Sequence, residues 1–164
     1  LQYNVRGADK TTWCPGWYSL PNDSHQYRDW LKTGHGPTNM KFSIAHSCDV
    51  YYYTLAHELG IRRLHEMLAR FGLGSITGVD IPGEAAGLLP SPEWKKRARK
   101  QPWYPGETLI VGIGQGYMLS TPLQLAYATG IVATRGEALI PHFLGQIENP
   151  VTEETISPDI YRRP

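Results

Sequence analysis

The stretch "ETLIVGIGQGYMLSTPLQLAYATGIVATRG", residues 107–136, carries the sharpest local signal in the chain. Thr121 stands where a helix N-cap belongs and Pro122 takes the first helical position. Gln124 falls at the position a capping box reserves for Glu or Gln. The spacing predicts a helix from there to about residue 134, ended by Gly136. Upstream, the apolar run "TLIV" leads into "GIGQG" at 112–116. A dinucleotide fingerprint needs G-x-G-x-x-G opening a helix directly. Here the third glycine is misplaced and residues 117–120 intervene, so the glycines predict a turn that admits close backbone approach. Downstream, "ALIPHFLGQIE" at 138–148 predicts a strand. Helices in the middle with strand material at an end favour an α+β fold over a doubly wound sheet.

Working back from that stretch, "VYYYTLAHEL" at 50–59 places Val50, Tyr53, Ala56 and Leu59 near one stripe, with Gly60 as the stop. Residues 61–71 repeat the pattern through Ile61, Leu64, Leu68 and Phe71, stopped by Gly72. A Gly/Pro-rich connection follows, and then a short helix over 92–99. The basic run "EWKKRARK" at 93–100 reads as a solvated helix face. His57-Glu58 and His65-Glu66 each begin like an H-E-x-x-H zinc motif. The pattern fails because Ile61 and Ala69 stand where the second histidine is required.

A length of 164 residues suits one domain or a large piece of one. The formal net charge of +1 gives no electrostatic case for nucleic acid or an anionic membrane. No run approaches the roughly 20 apolar residues that a membrane span needs. No signal peptide is visible, and "LQYNVRGADK" opens in mid-domain, so the chain is expected to be excised from a longer protein. Residues 1–48 read as an irregular segment, 49–136 as a helical region and 137–164 as strand and tail. So long an irregular leader needs something to hold it together.

Cys14 and Cys48 are the only cysteines. They could pair as a disulfide in an exported protein, or be two unrelated buried thiols. They could also share a structural zinc ion with His35, which lies between them, and Asp29 as a fourth ligand. The spacing matches no compact finger, and the residues alone leave all three open. In "WLKTGHGPTNMKFSIAHSCD", residues 30–49, Lys32-Thr33-Gly34 and Ser47-x-Asp49 look like two of the three short motifs of penicillin-recognising serine enzymes. Their order is wrong, since Lys-Thr-Gly should come last. No serine has a lysine three residues on, and Thr38-x-x-Lys41, which has that spacing, lies too close to Ser47. The chain therefore holds no complete acylation site.

The ordered set S-x-D at 47–49, F-G-x-G-x-x-T-G-x-D at 71–80, W-Y-x-G-E at 103–107, G-I-G-Q-G and T-P-x-Q at 121–124 resembles the transpeptidase domain of class B penicillin-binding proteins. The resemblance runs from about residue 13 to 145 and is closest to the elongation-type branch, penicillin-binding protein 2. It implies the largely helical portion of the penicillin-binding protein/serine β-lactamase-like fold. It places the nucleophilic Ser-x-x-Lys before this chain and the true Lys-Thr-Gly after it, making Lys32-Thr33-Gly34 a decoy and the fragment inactive alone. It implies that Ser47 relays a proton beside Asp49, where the family often has Asn. It further implies one structural zinc ion on Cys14, Asp29, His35 and Cys48. The parent protein would be a peptidoglycan D,D-transpeptidase at the periplasmic face of the bacterial inner membrane. Its partners would be peptidoglycan stem peptides, β-lactam antibiotics, and cell-elongation glycosyltransferase and scaffold proteins, with no nucleic acid. A non-enzymatic zinc-stabilised binding module is the competing expectation, and a soluble serine β-lactamase is a weaker one.

Overall fold

The computed structural model describes Tyr3 and residues 5–156. The end of the expected tail, residues 157–164, lies outside the described residues. Two compact units form: Leu1–Glu66 with Pro90–Met118, and Met67–Leu89 with Leu119–Pro164.

In the first unit, β1 (Thr12–Cys14) pairs antiparallel with β4 (Gly36–Thr38), and β2 (Trp17–Tyr18) with β3 (Tyr27–Arg28). The leader is thus less irregular than its composition predicts. What permits the pairing is a backbone crossing at two glycines with positive φ. A Cβ on Gly16 would meet the Lys32 carbonyl oxygen at 2.4 Å, and one on Gly34 would meet the Cys14 carbonyl oxygen at 2.2 Å. Only Gly fits at both places, and the crossing sets Cys14 beside His35.

Helix α1 (Met40–His46) begins where Asn39 accepts the Phe42 N–H, and it ends at Ser47 in the left-handed region, φ 50 and ψ 50. The expected boundary at residue 48 hid this helix, which lies within the leader. Helix α2 (Asp49–Arg70) contains the two predicted segments. Gly60, at φ 76 and ψ 159, breaks the helical backbone between them. The first half buries Val50, Tyr51, Tyr53 and Ala56, and these pack with Cys14, Cys48 and Leu109 as the core of this unit.

Helix α3 (Pro92–Arg99) begins at an N-cap whose Ser91 hydroxyl accepts the Trp94 N–H. Its one fully buried residue is Lys95, which pairs with Glu107 and lies 4.3 Å from the Tyr104 ring centroid. The exposed remainder of the basic run agrees with a solvated face. Helix α4 (Pro105–Gly112) was not expected from the apolar run. It starts with Pro105 and with Glu107 accepting the Tyr104 N–H at 2.8 Å. Gly112 lets it approach α2, since a Cβ there would lie 2.4 Å from that of Ala56.

In the second unit, α5 (Pro122–Ala133) opens with the predicted capping box. Gln124 is fully buried: it accepts the Thr121 N–H and donates to the carbonyls of Ser75 and Ala86. No charged residue stands between Glu107 and Arg135, yet Leu125 and Val132 on α5 are exposed. The strand expected over 138–148 is corrected to β5 (Ile147–Glu148), paired with β6 (Thr155–Ile156). The Phe143 and Leu144 N–H groups donate instead to the Asp80 carboxylate, at 2.7 and 2.8 Å, and Pro141 has none to offer a ladder.

Candidate functional site

The site is built at the α1–α2 junction, where Ser47, Cys48 and Asp49 point three ways. Ser47 is exposed, Cys48 is completely buried, and Asp49 opens α2 half-buried. The left-handed conformation of Ser47 costs a residue with a Cβ about 1 kcal/mol, so it persists only where the surroundings fix it. The Ser47 and Cys48 N–H groups both donate to the Ser43 carbonyl. Just beyond, the Val50 N–H donates to Asp29 Oδ2 at 3.2 Å, so a side chain far back in the sequence serves the first turn of α2.

Ser47 and Asp49 line a cleft of about 390 Å³ with Ser43, Tyr52, Gly112 and Ile113. Ser43 and Tyr52 were not singled out in the sequence. The signal for Ser43 was available only in part: it lies four residues before Ser47, but α1 ends at His46 and the left-handed Ser47 breaks the helix face between them. A larger cavity of about 830 Å³ lies elsewhere in this unit, beside Tyr27, His57, Tyr104 and Glu107. The smaller cleft is the better candidate, because it alone of the two gathers both residues of the S-x-D motif.

Behind the junction, the structure brings Cys14, Asp29, His35 and Cys48 together, with one candidate ligand atom from each, all within 4.8 Å of one another. All four side chains are buried. Asp29 Oδ1 lies 3.4 Å from His35 Nδ1, and the Cys14 thiol donates weakly to Asp29 Oδ2 at 3.5 Å. Burial alone would raise the Asp29 carboxyl. The Leu31 and Val50 N–H groups, the Cys14 thiol and His35 together hold it below its ordinary value. Burial raises Asp49, reinforced by Asp29 and offset in part by the Trp30 N–H. Cys48 is pushed up to about 12, first by burial and then by the neighbouring Cys14 and Asp29. Both cysteines are free thiols.

This donor set fits a tetrahedral cation. Ligands at roughly 2.0–2.3 Å stand about 3.3–3.8 Å apart, so a contraction of under about 1.5 Å from the observed limit closes the site. His35 turns its Nδ1 toward the other donors, 3.4 Å from Asp29 Oδ1 and 3.7 Å from Cys14 Sγ. Two thiols and a carboxylate facing one another in a buried space are the surroundings a cation relieves and a neutral side chain does not.

Lys32-Thr33-Gly34 does not line the Ser47–Asp49 cleft; its part is structural, through the Gly34 crossing that sets Cys14 beside His35. It forms the turn before β4, where the Gly34 N–H donates to the Leu31 carbonyl at 2.9 Å.

Residues 1–163 match the penicillin binding protein transpeptidase domain family, and the chain belongs to that family. Within it, the chain is similar to the peptidoglycan D,D-transpeptidase MrdA of Acinetobacter baumannii. The two are 53% identical over 130 residues, covering 79% of this chain and 19% of that protein. The crystal structure of Pseudomonas aeruginosa PBP2 in complex with WCK 5153 is similar at a TM-score of 0.85 and 46% identity, over 99% of this chain and 37% of that one. Helicobacter pylori PBP2 in complex with MreC matches at a TM-score of 0.80 and 38% identity, over 91% of this chain and 27% of that one. The chain thus spans about a fifth to a quarter of the length of the first relatives it matches.

Proposed function

We propose that the chain is the central segment of an elongation-type peptidoglycan D,D-transpeptidase, and that it supplies the proton-relay side of the active site. The observation that carries this reading is the exposed Ser47, set beside Asp49 in a cleft by a turn whose middle residue is buried among potential metal ligands. In the complete enzyme, a serine from outside the chain attacks the carbonyl of a D-Ala-D-Ala peptide bond. The acyl-enzyme forms, D-alanine leaves, and the amine of a neighbouring stem peptide resolves the intermediate. Ser47 both donates and accepts hydrogen bonds, so it passes a proton toward the departing amine and takes one back from the incoming amine. Asp49, when ionised, only accepts; it orients donors around Ser47.

Zinc is the ion this donor set suits, held by Cys14, Asp29, His35 and Cys48. It supplies structural support, because four protein ligands leave no position for a reacting water. Asp29 and Cys48 then hold the α1–α2 junction from the inside and fix the aim of the residues flanking Cys48. The parent protein sits at the periplasmic face of the inner membrane, although no helix among the described residues is long and apolar enough to cross a membrane. β-Lactams acylate the same serine. A scaffold protein of the kind bound by the H. pylori relative, and a glycosyltransferase of cell elongation, are its partners.

The test uses the full-length protein and labelled penicillin. A stoichiometric covalent adduct is expected, with Ser47→Ala slowing its formation at least about 100-fold, the scale of a lost proton-transfer group. The 164-residue chain alone should form none. Absence of an adduct in the full-length protein favours the non-enzymatic, zinc-stabilised module.

A further inference from the structure

The turn that presents Ser47 is also gripped from the outside by a residue that belongs neither to the metal-ligand set nor to a catalytic motif. The Trp30 backbone N–H donates to Asp49 Oδ2 at 3.2 Å, and its indole Nε1–H donates to the His46 carbonyl at 3.0 Å. One residue therefore holds both neighbours of the Ser47–Cys48 pair. Trp30 as a whole is 62% exposed, so it is not placed there for the area it buries. Its position is fixed by those two hydrogen bonds and by an edge contact with His35, ring centroids 5.4 Å apart.

The grip matters because Ser47 is left-handed. A residue with a Cβ relaxes readily to the right-handed region, and that relaxation would rotate the His46–Ser47 peptide and swing the hydroxyl away. Rotating that peptide moves the His46 carbonyl, the group the indole holds.

We propose that Trp30 is a positioning residue for the Ser47 relay, locking the left-handed turn from the solvent side so that Ser47 and Asp49 keep one relative aim. This rests on the proton-relay reading of Ser47. It does not depend on the cation, which would hold Cys48 from the buried side.

The experiment is Trp30→Phe in the full-length enzyme, which keeps an aromatic ring and the backbone N–H but deletes the indole donor. Replacement of Trp30 by 3-benzothienylalanine keeps the bicyclic shape and deletes the same donor. Stopped-flow acylation with labelled penicillin separates non-covalent affinity from the acylation step; bound zinc and thermal midpoint are measured alongside. Both variants should lower the acylation step about five- to tenfold, the scale of one lost hydrogen bond. Affinity, zinc content and midpoint should stay at the unsubstituted values. Acylation at the unsubstituted rate, while Ser47→Ala remains slow, overturns the role of Trp30. Loss of zinc in step with rate also overturns it, because Trp30 would then act through the metal ligands. Ser47→Ala acylating normally instead rejects the relay reading beneath the proposal.

Discussion

Cys48 stands between the two side chains proposed for the proton relay, while its own sulfur faces a buried carboxylate and a second thiol. With no cation, its thiol is held protonated up to about 12, because burial and the nearby Cys14 and Asp29 all disfavour a thiolate. Metal must displace that proton, so affinity rises with pH and falls as acid returns protons to the sulfurs and the imidazole. Purified chain should carry about one zinc per molecule, release it as pH is lowered, and lose thermal stability together with the metal. His35→Ala should leave the metal weakly held and lower the melting midpoint even at neutral pH. An unchanged midpoint after complete chelation would sink the structural role. At this scale the sequence was only partly legible. Cys14, Asp29, His35 and Cys48 are spread over 35 residues with no motif spacing, so their residue types allowed a shared zinc ion and only the family resemblance favoured it over a disulfide or two unrelated thiols. Trp30 carried no signal, because both its bonds depend on a turn 16 to 19 residues away.

Helix signals read from local chemistry were legible where capping residues marked them. The Thr121-Pro122-Gln124 start and the Gly60 break follow from residues adjacent in the chain, whereas the Ser91 cap of α3 emerges only in the structure. Helix α4 was obscured because its apolar, glycine-containing sequence resembles a buried strand, and its stability comes from lying on α2. The strand expected near residue 143 was lost to Asp80, 63 residues earlier, which no local pattern could disclose. Gly60 gives a prediction with a decided sign. In a continuous helix, Gly→Ala would stabilise by about 1 kcal/mol. At φ 76 and ψ 159 the backbone occupies a region essentially reserved for glycine. Gly60→Ala should therefore destabilise by about 1–3 kcal/mol in denaturant unfolding, although open space surrounds the position. A stabilised variant would mean that α2 runs straight.

At the scale of the molecule, a long-range ion pair in the first unit contributes to the response to acid. Arg6 is buried and bonds Glu58 through Nε at 3.0 Å, with a further bond to Thr12. The hydrogen bond from Arg6, ahead of burial that opposes it, holds the Glu58 carboxyl below its ordinary value. A depressed carboxyl contributes stability above its unfolded pKa, about 4.3, and loses it as pH falls through the folded value. Arg6→Ala should cost about 2 kcal/mol at neutral pH, the scale of a hydrogen bond to a charged, partly exposed carboxylate, and flatten the acid limb of the stability profile below about pH 5. An acid limb of unchanged slope would remove Glu58 from that role. Overall class was legible from the order of helices, connections and capping signals. The pairing of the leader was not, because it depends on Gly16 and Gly34 meeting across 18 residues.

The uncharged run between Glu107 and Arg135 leaves apolar side chains of α5 facing water. A helix without a charged face is ordinarily an interior element. With those side chains in water, the polypeptide should behave as a reluctant solute, crowding into clusters as it is concentrated and yielding more readily to mild detergent than to salt.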